Sequence, residues 1–248
     1  MTIIKLVLAY DGTDFHGWAR QRGVRTVQGA IEEVLQRMLP EVPHLSVAGR
    51  TDAGVHAEGQ VASFPAAGTL DPAKVQRALN ASLAPEVVVR WAGGAPGGFD
   101  ARRSATGREY RYRIGTGPVP SPFTARYLWH RPGRLAVGKM RAAARLLEGE
   151  HDFASFCRAP EPPRSTVRTL RRLAIRAAGD VVEVRALAEG FLHQMVRSLV
   201  GTLVRVGEGH IPPDAMPGIL GTRSRAAAGP VAPPHGLTLV RVLYGRRR

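Results

Sequence analysis

Hydrophobic positions along the chain repeat with two periods, one typical of strands and one of helices. Alternating apolar and polar residues predict strands at 3–10, 45–48, 60–64, 87–91, 108–114, 169–177, 181–188 and 237–244. Apolar residues at helical spacing predict helices after Thr26, after Asp71, at about 136–147 and at about 191–206. Thr26 and Asp71 suit N-cap positions, and Pro72 suits the first turn. Helices mixed with hairpin-spaced strands predict an α+β fold with a mainly antiparallel sheet, rather than a doubly wound parallel one.

The segment 115–133 is the best candidate for a boundary between two halves. It holds four prolines and interrupts the regular hydrophobic pattern on both sides. We therefore expect one α+β half at 1–115 and a second at 116–248.

The amino-acid composition indicates what kind of molecule the protein binds. The 248 residues carry a formal charge of +15, and arginine supplies nearly all of the positive charge, since the only lysines are Lys5, Lys74 and Lys139. Such an excess of positive charge favours a polyanionic partner. Guanidinium groups both bind phosphate and stack on bases, but a GC-rich genome explains the preference for arginine over lysine equally well. The single cysteine, Cys157, excludes an internal disulfide and a thiolate metal cluster. Without a signal peptide or an apolar run of ~18 residues, we expect a soluble cytoplasmic protein and no membrane partner.

The most informative segment is AGRTDAGVH, residues 48–56, which lies between two predicted strands. It places the carboxylate of Asp52 two residues after the guanidinium of Arg50, between Gly49 and Gly54. A nearby positive charge favours the ionised form of an acid, so Arg50 is expected to keep Asp52 charged. Loops on a rigid scaffold commonly carry reactive groups. For the letters TDAG alone, a plain turn in which Asp52 bonds its own backbone is the favoured interpretation, whereas the nine-residue string is far more specific.

Three other side chains carry alternative interpretations. Tyr110 shares one face of its strand with Tyr112. It is either an ordinary aromatic residue of a strand or a ring that stacks on an unpaired base. Arg197 lies beside the apolar stripe of the 191–206 helix, where it either extends to solvent or pairs with a buried carboxylate, Asp52 being the candidate. His56 is either a base or a structural residue.

Longer strings, in the same order along the chain, resemble the TruA family of tRNA pseudouridine synthases. They are YDGTDFHGWARQ, RTVQGAIE, AGRTDAGVH, FDARRSATGREYRYRI, LLEGEHDFASF, FLHQMVRSLVGTLVRVG and GLTLVRVLY. The resemblance implies the pseudouridine synthase fold, with two α+β halves, flanking helices and a central RNA-binding cleft. It also implies that Asp52 is catalytic, that Tyr110 stacks in the uridine pocket and that Arg197 is the basic partner of Asp52. Arg50 would contact the substrate backbone or help to extrude its base.

The resemblance further implies a substrate and an assembly. The partner would be tRNA, modified in the anticodon stem-loop at positions 38, 39 and 40, and the enzyme would be a homodimer. The loop arginines Arg20, Arg22 and Arg25 would guide the RNA.

The implied reaction breaks the N1–C1′ bond of uridine, turns the base and joins C5 to C1′. This isomerisation is redox-neutral, so no metal or other cofactor is expected. The target base must first leave its stack, at a cost of a few kcal/mol. Asp52 would attack C1′, add to C6 or remove a sugar proton, and the sequence leaves these routes open. A basic RNA-binding module without catalysis and an aspartate-nucleophile hydrolase are the competing classes.

Overall fold

The computed structural model describes residues 2–41, 43–66 and 70–245 and divides the chain into two compact units. The first unit is Met1–Thr106 with Leu239–Arg248, and the second is Gly107–Thr238. The chain passes between them inside strands β5 (Ala105–Gly115) and β10 (Leu237–Tyr244). These units differ from the predicted halves 1–115 and 116–248, because the final strand returns to the first unit. A division of the sequence into two continuous segments cannot represent that return.

The first unit combines an antiparallel sheet with two helices. Its elements are β1 (Thr2–Tyr10), α1 (Val27–Met38), β2 (Ser46–Val47), β3 (His56–Ala66), α2 (Pro72–Leu83), β4 (Val87–Ala95) and the later part of β10. Strand β1 pairs antiparallel with both β3 and β4, and the short β2 pairs antiparallel with β3. Strand β10 lies next to β3. On β1, the side chains of Ile4, Leu6 and Leu8 are fully buried, and the residues between them are partly exposed, as expected of a sheet covered on one face.

Local signals set where both helices of this unit begin. The hydroxyl of Thr26 accepts a hydrogen bond from the N–H of Gly29 at 3.2 Å, so Thr26 is the N-cap of α1. Asp71 caps α2 through the N–H of Ala73, and Pro72 occupies the first helical position. These predictions are confirmed.

The second unit also combines an antiparallel sheet with helices. Its further elements are β6 (Trp129–His130), α3 (Val137–Arg145), β7 (Gly149–Asp152), β8 (Val167–Ala178), β9 (Val181–Ala188), α4 (Met195–Gly207) and α5 (Met216–Thr222). Single 3-10 turns lie at Ala125–Tyr127, Ala154–Phe156, Pro213–Ala215, Arg225–Ala227 and Pro234–Gly236. The strand order is β5–β9–β8–β7 with antiparallel neighbours, and β6 pairs parallel with β5. Helix α3 packs against α4 and β8. The predicted α+β class with a mainly antiparallel sheet is confirmed.

Several predicted boundaries differ from the structure, and strand β3, for example, begins at His56 instead of residue 60. Helix α4 begins at Met195 instead of about residue 191, because Gln194 has a left-handed backbone, with φ at 62°, and interrupts the helical hydrogen bonds. Strand β4 continues beyond the predicted end at residue 91 to Ala95, through a stretch that contains Gly93 and Gly94. A Cβ on Gly93 would lie 2.4 Å from the ring of Trp91, so a residue without a side chain suits this part of the strand.

None of the helices within the described ranges combines the length and the apolar character needed to cross a membrane.

Candidate active site

Asp52 lies on the loop between β2 and β3, as the sequence predicted. Its carbonyl accepts a hydrogen bond from the N–H of Val55 at 3.2 Å, which closes a turn, and Gly54 uses the left-handed region at φ 75°. The segment that carries Asp52 therefore forms a turn, as one of its two interpretations predicted. Asp52 is partly exposed, Thr51 before it is buried, and Arg50 is exposed.

A second loop, residues 11–25, holds the Asp52 loop through its backbone. The N–H of Trp18 donates to the carbonyl of Thr51 at 3.0 Å, and the N–H of Gly54 donates to the carbonyl of Phe15 at 3.2 Å. Gly17 has φ at +90°, and a Cβ there would lie 2.8 Å from the carbonyl oxygen of Thr51. The side chains of Trp18 and Phe15 are buried. Backbone bonds on both sides of Asp52 therefore restrict where its carboxylate can lie.

His56 has a structural position at the end of the same loop. Its side chain is buried, and its Nδ1 accepts a hydrogen bond from the backbone N–H of Gly12 at 3.0 Å. The same Nδ1 lies 3.1 Å from Oδ1 of Asp11, so the buried imidazole is held against the turn after β1, which fits the structural interpretation of His56.

Three buried polar side chains form a hydrogen-bonded chain behind Asp52. The hydroxyls of Tyr10 and Thr51 lie 2.9 Å apart, and Nε2 of Gln60 lies 3.2 Å from the Tyr10 hydroxyl. The same amide nitrogen donates to the carbonyl of Gly49 at 2.7 Å. Neither Tyr10 nor Gln60 was expected at the site from the sequence. One feature of the sequence could have indicated Gln60: it is a polar residue at an inward-facing position of a strand, where a buried side chain requires hydrogen-bond partners.

In the second unit, Tyr110 lies on β5 opposite Ala186 of β9. Its side chain is 7% exposed, and its ring meets the ring of Phe191 edge-on, with centroids 5.2 Å apart. Tyr110 and Tyr112 are buried while Arg111 is only partly so, which confirms the predicted alternation of this strand.

Arg197 lies in the first turn of α4 and is fixed to a neighbouring segment. Its Nε–H donates to the carbonyl of Ala232 at 2.7 Å, and the N–H of Ala232 donates to the carbonyl of Arg197 at 3.1 Å. Burial raises the pKa of the nearby Tyr112, and the charge of Arg197 opposes that rise. A cation in the first turn opposes the helix dipole, so this arginine is held by its tertiary contacts rather than favoured by its helix.

The predicted RNA-guiding arginines surround a depression of about 750 Å³ in the first unit. Arg20 pairs with Glu32 at 2.9 Å, and Arg25 forms a bidentate pair with Glu86 at 2.7 and 2.8 Å. Arg22 is exposed and makes no ion pair within the ranges that the structure covers. Two of the three charges are therefore partly compensated by carboxylates, and Arg22 is the most available to a phosphate.

The sequence was compared with protein-family models, with curated proteins and with solved structures. A family model described as tRNA pseudouridine synthase matches residues 6–101 and 143–245. The tRNA pseudouridine synthase A of Frankia casuarinae is 49% identical over 247 residues, covering 97% of this chain and 89% of the relative. That of Mesorhizobium japonicum is 45% identical, covering 98% of this chain and the whole relative. A solved archaeal box H/ACA sRNP complex aligns with 81% of this chain and 43% of its own at 16% identity and a TM-score of 0.36, too distant to bear on the fold.

These matches establish the class of enzyme: the protein is a pseudouridine synthase, an isomerase that acts on uridine. The chain belongs to the tRNA pseudouridine synthase family. The matched segments include Asp52 and Arg197, whereas Tyr110 lies between them.

Proposed function

We propose that this chain converts uridine to pseudouridine in the anticodon stem-loop of tRNA, at positions 38, 39 and 40, with Asp52 as the catalytic residue. The observation that carries the assignment of Asp52 is its setting. It is a partly exposed carboxylate on a loop held by backbone hydrogen bonds from Trp18 and to Phe15, inside a segment matched by the family. A side chain that must meet one atom of a nucleoside benefits from such restriction, because orientation contributes strongly to rate.

The remaining roles follow from the resemblance and from local geometry. Tyr110 would stack on the extruded uracil, and the edge-on contact with Phe191 supports a defined ring orientation. Arg197 would be the basic partner of Asp52, and the bond from its Nε–H to the carbonyl of Ala232 anchors the guanidinium at the start of α4. Arg50 would contact the substrate backbone or help to extrude the base.

The RNA itself would be bound through its phosphates. Arg20, Arg22 and Arg25 line the depression in the first unit and would guide the tRNA, supported by the overall charge of +15. We also propose that the enzyme is a cytoplasmic homodimer and acts without a metal or another cofactor, since the isomerisation is redox-neutral.

Tritium release tests the reaction and the role of Asp52 together. Forming the C5–C1′ bond removes the hydrogen from C5, so tRNA containing [5-³H]uridine releases tritium to water as it reacts. Asp52→Asn keeps the size of the side chain and removes its charge, and should lower the single-turnover rate about a thousandfold or more while tRNA binding stays within about threefold. The matched control is Asp71→Asn, because asparagine is an equally good N-cap for α2.

The competing outcomes are distinct. A wild-type protein that binds tRNA but releases no tritium would be an RNA-binding module without this catalysis. An Asp52→Asn variant with wild-type rate would exclude Asp52 as the catalytic residue. Replacing uridines 38, 39 and 40 of the tRNA by cytidine should abolish release, and persistent release would show that the modified sites lie elsewhere.

A further inference from the structure

A chain of buried hydrogen bonds lies directly behind the catalytic loop, and the proposed reaction does not use it. Its members are Tyr10 at the end of β1, Gln60 on β3 and Thr51, the residue before Asp52. Their exposed fractions are 4%, 0% and 7%. A hydrogen-bonded network of buried polar side chains is costly to disturb, because each lost partner leaves a buried polar group unsatisfied.

Two backbone groups fix the direction of the hydrogen bonds that Gln60 makes. Oε1 of Gln60 accepts from the N–H of Val61 at 3.1 Å, so the amide can have only one orientation. Its Nε2 therefore donates, to the carbonyl of Gly49 at 2.7 Å and to the hydroxyl of Tyr10 at 3.2 Å. Because Nε2 of Gln60 can only donate, the hydroxyl oxygen of Thr51, 2.9 Å from that of Tyr10, is the acceptor available to the Tyr10 proton.

The network keeps this direction across the pH range in which enzymes work. Burial raises the pKa of Tyr10 to about 12, and hydrogen bonds to Thr51 and Gln60 only partly oppose that effect. Tyr10 therefore remains a neutral donor.

The network holds the loop at Gly49 and at Thr51, the two ends of the short segment before Asp52. Gln60 binds the carbonyl of Gly49 on one side, and Tyr10 binds the hydroxyl of Thr51 on the other. The carbonyl of Thr51 is held separately by the N–H of Trp18 at 3.0 Å. Thr51 is thus fixed through both its side chain and its backbone, and Asp52 follows it by one peptide bond.

We propose that Tyr10 and Gln60 are positioning residues for the reaction, acting through the hydroxyl of Thr51 to hold the Asp52 carboxylate in its reactive orientation. This inference rests on the proposed role of Asp52. Tyr10 and Gln60 are themselves buried and would act at a distance from the nucleoside. Their removal should therefore slow the chemical step and leave tRNA binding intact.

Three variants separate positioning from general stability. Tyr10→Phe keeps the ring and removes the donor; Thr51→Val removes the acceptor; Thr51→Ser keeps it. At saturating tRNA, Tyr10→Phe and Thr51→Val should each lower the single-turnover tritium release rate by about tenfold to a hundredfold. The dissociation constant for tRNA should stay within about threefold, and Thr51→Ser should retain the rate within about threefold. Tyr10→Phe and Thr51→Val each remove the same hydrogen bond, the one between residues 10 and 51. The double variant should therefore be no slower than the slower single variant.

The matched control is Tyr244→Phe. The hydroxyl of Tyr244 also donates within the first unit, to the carbonyl of Ala101 at 2.8 Å, and this hydrogen bond does not involve the Asp52 loop. Its rate should stay within about twofold of wild type even where its melting temperature falls as far as that of Tyr10→Phe. If Tyr10→Phe does not fold at the assay temperature, the comparison of Thr51→Ser with Thr51→Val provides the same test.

Several results would overturn the proposal. They are a wild-type rate for Tyr10→Phe, an equal loss for Thr51→Ser and Thr51→Val, losses that multiply in the double variant, or a loss of tRNA affinity that accounts for the lower rate. Asp52→Asn, measured in parallel, keeps this failure separate from failure of the proposed function. If Asp52→Asn is inactive and Tyr10→Phe is fully active, only the positioning role is wrong.

Discussion

Gly12 packs so closely against Val55 that a Cβ atom on Gly12 would lie 2.1 Å from the carbonyl oxygen of Val55. The N–H of the same glycine donates to Nδ1 of His56. The turn that follows β1 therefore lies directly on the end of the Asp52 loop, and this approach is possible only without a side chain.

The first prediction concerns this contact. Gly12→Ala should lower the free energy of unfolding by about 2–3 kcal/mol, because the added methyl group must displace backbone rather than a flexible side chain. Urea unfolding measures the change. Gly97→Ala is the control, since a Cβ there meets nothing within 4 Å, and it should change stability by less than about 0.5 kcal/mol. Equal stability of the two variants would mean that the close approach does not exist in solution.

The second prediction separates the charge of Arg197 from its hydrogen bond to Ala232. Arg197→Gln removes the charge and should lower the single-turnover tritium release rate about a hundredfold, if Arg197 is the basic partner of Asp52. Arg197→Lys keeps the charge but lacks the Nε–H that binds Ala232, and should lose only about tenfold. Similar losses in both variants would indicate that the anchoring bond, rather than the charge, is what the reaction needs.

The third prediction concerns the salt dependence of tRNA binding. Arg20 and Arg25 already pair with carboxylates, so Arg22 should contribute most to phosphate binding at the depression. In Arg22→Gln, the slope of log affinity against log salt should fall by about 1 between about 50 and 200 mM. Arg77→Gln, on the exposed side of α2, should leave the slope unchanged. An unaltered slope in Arg22→Gln would argue against an RNA contact there.

The fourth prediction concerns acid stability. Burial raises the pKa of Glu208, but hydrogen bonds from Arg131 and His210, with the charges of Arg131 and Arg205, outweigh it and hold the pKa below its usual value. A depressed carboxyl pKa stabilises the fold above the pKa of the unfolded chain, and this stabilisation is lost as pH falls through the folded value. Glu208→Gln should therefore be less stable than wild type near pH 7, and the difference should shrink towards pH ~3.

Urea unfolding at a series of pH values measures this difference. Glu150→Gln, at an exposed position, is the control and should follow the wild-type profile. A stability difference for Glu208→Gln that does not change with pH would contradict the prediction.

Features set by neighbours in the chain could be predicted from the sequence. The N-cap hydrogen bonds of Thr26 and Asp71 span three and two residues, so the first residues of α1 and α2 could be predicted from neighbouring positions in the sequence. The start of α4 was not, because the left-handed Gln194 leaves the apolar pattern before Met195 unchanged. The Asp52 loop was predicted correctly, while its support by Trp18 was not.

The sequence by itself determined the α+β class, the loop that carries Asp52 and, through strings such as AGRTDAGVH, the family. Only the tertiary structure decided that the last strand returns to the first unit and that Tyr10, Thr51 and Gln60 form one network. The reason is physical. Periodicity and capping act between residues a few positions apart, whereas the hydrogen bonds of this network join residues separated by 41 and 50 positions, whose meeting depends on strand pairing.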